Sequence, residues 1–161
     1  KGAQKALRLY RLASQRGNYQ ARVHAVRLLF DLVDPVADEM AVRELDIASK
    51  RGVADAFAWL AWTHEVKRRK DHSEAEALRL YKEAARRGDA WAAFRLGVAY
   101  QRGRLGVARN EGLALKSYEE ASRSYYAPAI LEVGEDRKSL NQTDQESEVA
   151  LGSLSVDHGQ P

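Results

Sequence analysis

Four segments of this chain share one pattern at nearly constant spacing, and that periodicity limits the fold more than any other feature. They run Ala6-Leu-Arg-Leu-Tyr10-Arg-Leu-Ala13-Ser-Gln-Arg-Gly17, Ala41-Val-Arg-Glu-Leu45-Asp-Ile-Ala48-Ser-Lys-Arg-Gly52, Ala77-Leu-Arg-Leu-Tyr81-Lys-Glu-Ala84-Ala-Arg-Arg-Gly88 and Ala114-Leu-Lys-Ser-Tyr118-Glu-Glu-Ala121-Ser-Arg-Ser-Tyr125. Their first alanines stand 35, 36 and 37 residues apart, and a small residue follows each block at the same offset: Ala21, Ala56, Ala92 and Ala129. A period in this range marks stacked supersecondary units that bury their apolar faces against one another.

Each block reads as a helix, because Ala, Tyr or Leu, and Ala recur at i, i+4 and i+7 while Arg, Lys and Glu occupy the opposite face. The alanines allow close helix approach, and Tyr10, Leu45, Tyr81 and Tyr118 fill the space between neighbours. Gly17, Gly52 and Gly88 suit the left-handed position that closes a helix, and the preceding Arg16, Arg51 and Arg87 complement its negative end. Tyr125 departs from this rule, so the fourth helix is expected to end differently, before Pro128. A second helix per unit is expected over about Ala21–Leu32, Ala56–Val66 and Ala92–Gln101, with the variable step carried by the connection that follows it. The predicted architecture is all-α: a right-handed α-solenoid of helix–loop–helix units.

The stretch Ala93-Phe-Arg-Leu96-Gly97-Val-Ala-Tyr100-Gln-Arg-Gly103-Arg-Leu-Gly106-Val107-Ala-Arg-Asn110-Glu-Gly-Leu-Ala114 resembles the Sel1-like repeat family, relatives of the tetratricopeptide repeats. It carries one extra residue between the loop glycines, and Asn110 stands where Asp is usual; Asn caps a helix about as well. The other copies depart further. His64-Glu-Val-Lys-Arg-Arg-Lys-Asp-His72 lacks the loop glycines, and Leu32-Val-Asp-Pro35 replaces the loop with a proline turn. The resemblance covers roughly residues 5–134 and implies a non-enzymatic adaptor that holds other proteins together, as family members do in bacterial envelopes and in the eukaryotic secretory pathway.

On this reading residues 1–134 form a solenoid of about three and a half repeats that opens within a repeat, as an excised segment of a longer protein would. Residues 135–161 form an acidic polar tail, disordered or with a short helix begun by the capping box Thr143-Asp-Gln-Glu146. The tail has six acidic and two basic residues, so the net charge of +3 divides into −4 there and +7 on the repeat body.

Chemistry is sparse. With no Cys there is neither a disulfide framework nor a thiolate site. His24, His64, His72 and His158 form no metal-ligand spacing, the serines lack a nucleophile motif, and Gly103-x-x-Gly106 is not followed by the Lys of a phosphate loop. No catalytic residue, metal or cofactor is assigned. No run of roughly 18 apolar residues offers a membrane span.

Two binding surfaces remain. In helix-pair solenoids the first helix of each pair lines the concave face, which places Gln20, Val23, Arg27 and Phe30, then Asp55, Ala58, Trp62 and Glu65, then Trp91, Phe94, Val98 and Gln101 along one groove. Of these, Arg27, Phe30, Trp62, Glu65, Trp91, Phe94 and Gln101 are the expected contacts with a protein partner, because aromatic and Arg side chains carry most interface energy. Trp62 and Trp91 read equally well as inter-helix packing, and Trp59 reads better that way. The alternative surface is basic: Lys67, Arg68, Arg69 and Lys70 in one loop and Arg102, Arg104 and Arg109 in the next, suited to nucleic acid or an anionic polysaccharide. A third reading makes the chain a regulatory segment of a larger enzyme.

Overall fold

The computed structural model describes residues 2–32 and 34–123. Within them seven helices follow one another: α1 (Gly2–Gln15), α2 (Gln20–Phe30), α3 (Pro35–Lys50), α4 (Ala54–Glu65), α5 (Glu74–Arg86), α6 (Ala90–Arg102) and α7 (Glu111–Arg123). Each packs on the next in chain order. The repeat blocks are α1, α3, α5 and α7, and the intervening helices are α2, α4 and α6. The acidic tail and the end of the fourth block lie outside the described residues.

The alanine stripe is the core. Ala41, Ala48, Ala77, Ala84, Ala114 and Ala121 are buried, as are Leu45, Tyr81 and Tyr118 between them. Ala21, Ala56 and Ala92 on the intervening helices are buried too. Each fully buried Leu contributes on the order of 2 kcal/mol. The side chains of Ala6, Tyr10 and Ala13 are outside the described residues.

The short turns close as the sequence predicts. Gly52 and Gly88 adopt φ of +79° and +91°, which lets the Val53 and Asp89 N–H groups donate back to Ala48 and Ala84 carbonyls at 3.2 and 3.0 Å. The intervening helices start one or two residues before the predicted alanines. Asp89 explains this for α6, since its carboxylate accepts from the Ala92 N–H at 2.6 Å.

The connections between α2 and α3, α4 and α5, and α6 and α7 differ in kind. Asp34 caps α3, accepting from the Ala37 N–H, and Pro35 occupies the first turn. The proline turn therefore begins α3 six residues before its repeat block, and helix replaces most of the loop. The other two connections are true loops, capped by Ser73 and Asn110, which accept from Glu76 and Leu113 N–H groups.

Candidate functional site

The intervening helices bring their aromatic side chains into one tier. Phe30 on α2 lies with its ring centroid 5.1 Å from Trp62 and 5.9 Å from Trp59, both on α4. Trp59 lies 5.5 Å from Trp62 and 5.2 Å from Trp91 on α6, whose ring meets Tyr81 edge-on at 6.2 Å. Such offset and edge-on pairs add about 0.5–1.5 kcal/mol each beyond area burial. Phe30 is only 5 % exposed and belongs to the core, while Trp59, Trp62 and Trp91 are half-buried. The tryptophans thus pack between units and still present part of each indole to solvent. Trp59, read from sequence as packing, is the centre of the tier.

Arg68 caps one end of that tier. Its guanidinium stands 5.5 Å from the Phe30 ring and 5.4 Å from the Trp62 ring, while Nη1 donates to the Phe30 carbonyl at 2.9 Å and to Asp38 at 3.1 Å. Sequence alone grouped Arg68 with the basic loop. Its contact with an aromatic 38 residues earlier leaves no local signal.

Other expected groove residues are engaged inside the fold. Glu65 accepts from the Tyr81 hydroxyl at 2.7 Å and pairs with Arg95. Burial and the Glu65 charge hold the Tyr81 hydroxyl far above the ordinary phenol range, so it remains a donor. Gln101 accepts from the Tyr118 hydroxyl at 2.9 Å, and Phe94 lies 5.6 Å from the Tyr118 ring. Val23 and Ala58 are buried. Arg27 is exposed, and so is Gln20, which donates to Asp55 at 2.6 Å. Beside Asp55, burial raises the Asp89 carboxyl to about 6.

The basic loops differ from their formal charge. Arg68 pairs with Asp38, Arg69 makes two bonds to Asp71 at 2.7 and 2.9 Å, and Arg109 pairs with Glu111 at 2.9 Å. The Arg69 guanidinium holds the Asp71 carboxyl down at about 2. Lys67, Lys70, Arg102 and Arg104 are exposed, and none enters an ion pair among the described residues. The loop of residues 66–73 is flanked by two clefts. One of about 520 Å3 opens toward α3, and one of about 430 Å3 lies among Asp46, His64, Arg69 and Glu76. His64 is buried there, and its Nδ1 accepts from the Ser73 N–H at 3.1 Å. Burial, and then Arg69, push the imidazole below its ordinary range, so it stays neutral and structural. Among the described residues no three His, Asp or Glu side chains gather as a metal set, and no helix is long and apolar enough to cross a membrane.

Helices that each pack on the next in chain order and share an aromatic tier define a helix-pair α-solenoid. A Sel1 repeat protein from Oxalobacter formigenes superposes with a TM-score of 0.65 at 29 % identity, covering 75 % of this chain and 50 % of that one. A protective antigen of uropathogenic Escherichia coli with a Sel1-like repeat fold gives 0.68 at 20 % identity, over 82 % of this chain and 28 % of that one. Cysteine-rich protein B of Helicobacter pylori gives 0.62 at 21 %, over 81 % and 93 %. In fold the chain is similar to these Sel1 repeat proteins. Among curated proteins, the DAP3-binding cell death enhancer 1 of Rattus norvegicus is 34 % identical over 91 residues, which is 56 % of this chain. The chain spans 17 % of that relative's length and half of the Oxalobacter protein's. No family model matches the chain. The Sel1-like repeat fold is generally a protein-interaction module.

Proposed function

We propose that this chain is a non-enzymatic adaptor that receives a segment of a partner protein on the face built by α2, α4 and α6. The observation that supports it is the aromatic tier, which runs unbroken from Phe30 through Trp62 and Trp59 to Trp91 and leaves the three indoles half-open. Half-buried tryptophans held by their neighbours lose little freedom on binding, and so suit an interface anchor. Phe30 supports the tier from below. Arg27 and Arg68 supply charge at its edge, while Glu65, Phe94 and Gln101 hold the floor through the two tyrosines.

The test is affinity capture from source-cell extract with the whole chain, the Trp62→Ala/Trp91→Ala variant and Arg27→Glu. Circular dichroism checks that each variant is folded. Because Arg27 is exposed and enters no ion pair among the described residues, Arg27→Glu separates lost binding from lost folding. A protein retained by the wild type and lost from the folded variants is the expected result. Equal retention by all three removes the aromatic face from consideration. The relative from rat is named for binding DAP3, so a DAP3 homologue is the first individual partner to assay. Recovery of nucleic acid or polysaccharide alone, released by moderate salt, would favour the basic loops instead.

A further inference from the structure

The loop between α4 and α5 leaves its helix in the same way as the loop between α6 and α7, yet with different residues at the matching places. Each turns out of its helix through a left-handed residue, Gly103 (φ +63°) in one and Lys67 (φ +58°) in the other. Each then donates the next N–H back to the last helical turn, Arg104 to the Ala99 carbonyl at 2.9 Å and Arg68 to the Thr63 carbonyl at 3.0 Å. Glycine takes that conformation without strain and lysine does not. Two residues beyond, the α6–α7 loop plugs its base with the buried Leu105, whereas the α4–α5 loop places Arg69, held by Asp71. Both exchanges replace a loop-forming residue with a cation. The α6–α7 loop also holds a non-glycine residue left-handed, but that residue is Leu105 (φ +55°), whose buried side chain anchors the loop, whereas Lys67 turns an exposed cation to solvent and points to a role outside the fold.

The cations face a wall that exists because α3 begins early. Its extra turn carries Pro35 and Asp38, and the following turn carries Val42 and Arg43, opposite Lys67–Lys70 across the cleft of about 520 Å3. Arg68 is fixed by Asp38 and the Phe30 carbonyl, and Arg69 by Asp71, so these two pin the loop in place. Arg43, Lys67 and Lys70 are exposed and in no ion pair among the described residues. Pro35 and Val42 give the cleft an apolar side.

We propose that this cleft docks an acidic peptide segment of a partner protein, with carboxylates on Arg43, Lys67 and Lys70 and an apolar side chain against Pro35 and Val42. A polynucleotide fits less well. Its phosphates leave the apolar Pro35 and Val42 side of the cleft unused, and Arg109 in the neighbouring loop is already paired with Glu111, which interrupts a basic track. The proposal stands apart from the aromatic tier and does not depend on it.

Fluorescence anisotropy on the whole chain tests it. The probes are a short labelled peptide of alternating Glu and Leu, its Gln counterpart, and a single-stranded oligonucleotide of equal charge. The proposal expects the Glu peptide to bind about tenfold tighter than the Gln peptide, and Arg43→Gln/Lys67→Gly/Lys70→Gln to lose about tenfold. Lys67→Gly relieves the turn, so that variant does not fail through misfolding, and circular dichroism verifies it. Arg102→Gln/Arg104→Gln should bind as the wild type does. No binding of the Glu peptide, equal binding of the Gln peptide, an unaffected triple variant, or an oligonucleotide that binds more tightly than the Glu peptide would each overturn it.

Discussion

The helix pairs α6–α7 and α2–α3 solve one packing problem with opposite residues. At the same register, the intervening helices carry Val26, Ala61 and Gly97, and the block helices carry Leu45, Tyr81 and Tyr118. All six are buried. The larger Val26 goes with Leu45, and the smaller Ala61 and Gly97 go with tyrosines. In α6–α7 the fit is extreme: a Cβ on Gly97 would lie 2.5 Å from Cδ1 and Cε1 of the Tyr118 ring. The polar end of the ring imposes a second condition. The position four residues on holds Glu65 where Tyr81 is used and Gln101 where Tyr118 is used, each accepting the hydroxyl. Opposite Leu45, which has no hydroxyl to satisfy, that position holds the buried Phe30. What recurs along the solenoid is therefore a filled volume with its polar groups paired, not a residue type.

That comparison breaks most easily at Gly97. Gly97→Ala is expected to destabilise by about 2–3 kcal/mol, the cost of overpacking a core that cannot shift freely. In a Tyr118→Leu background the same substitution should cost at least about 1 kcal/mol less, because the pair then approaches the Val26/Leu45 solution. Urea denaturation of the four proteins measures the coupling. Equal costs in both backgrounds would show that volume exchange is not what relates these units.

The hydroxyl condition gives a smaller, graded effect. Tyr118→Phe removes a bond to a neutral amide and should cost about 1 kcal/mol. Tyr81→Phe removes a bond to Glu65, a charged acceptor, and should cost about 1.5–2 kcal/mol. Leu45 offers no hydroxyl to delete. Reversal of the order would mean that Arg95 alone satisfies Glu65.

Much of this was legible in the residues. Seven helices, the alanine stripe and the closing glycines follow from periodicity and from backbone preferences, which are local and recur from unit to unit. The side chains expected along a groove could be named from the repeat, but not what each of them touches. Glu65 and Gln101 hold equivalent places in the repeat, and a tyrosine 16 or 17 residues later turns their oxygens toward the fold. Arg68 looks from sequence like one more cation of a basic run, because the Phe30 carbonyl and Asp38 that hold it lie 38 and 30 residues away. Such pairings appear only once neighbouring units stack. The early start of α3 was half-visible: Pro35 marks a turn, and Asp34 before it is a helix cap.

The caps supply a pH test of the same unit-to-unit variation. Asn18, Val53 and Asp89 hold equivalent places before α2, α4 and α6. Only Asp89 titrates, and burial, with Asp55 close by, lifts its carboxyl from 3.8 to about 6. A carboxyl raised on folding binds its proton more tightly in the native state. The Asp89 contribution to stability is therefore fully present below about 4 and is lost as pH rises through about 6, opposite to the trend set by Asp71 and Glu83, whose carboxyls are held down. Asp89→Asn keeps a capping oxygen and removes the titration, so relative to the wild type its melting temperature should gain as pH rises between these values. Burial also raises the Asp46 carboxyl, which leaves part of the slope in place. An unchanged slope would place the titrating group elsewhere.

The smallest effect concerns the two loops. Lys67 and Gly103 share the left-handed turn, and a non-glycine residue there costs roughly 1–2 kcal/mol. Lys67→Gly recovers that strain but also frees the unfolded chain, a loss of about 0.5–1 kcal/mol. The difference should leave the variant more stable by about 0.5 kcal/mol, a small rise in the urea midpoint at unchanged slope. The reverse substitution, Gly103→Lys, should cost about what the left-handed backbone costs and no more, since its added Cβ would meet the Arg109 nitrogen at 3.4 Å and the Val107 carbonyl at 3.6 Å, both ordinary contacts. Stabilisation by Lys67→Gly together with loss of acidic-peptide binding would show that the lysine is kept at the turn for what it binds, against the interest of the fold. Destabilisation by Lys67→Gly would instead give that side chain a structural duty, and the two loops would then differ in how they fold as well as in charge.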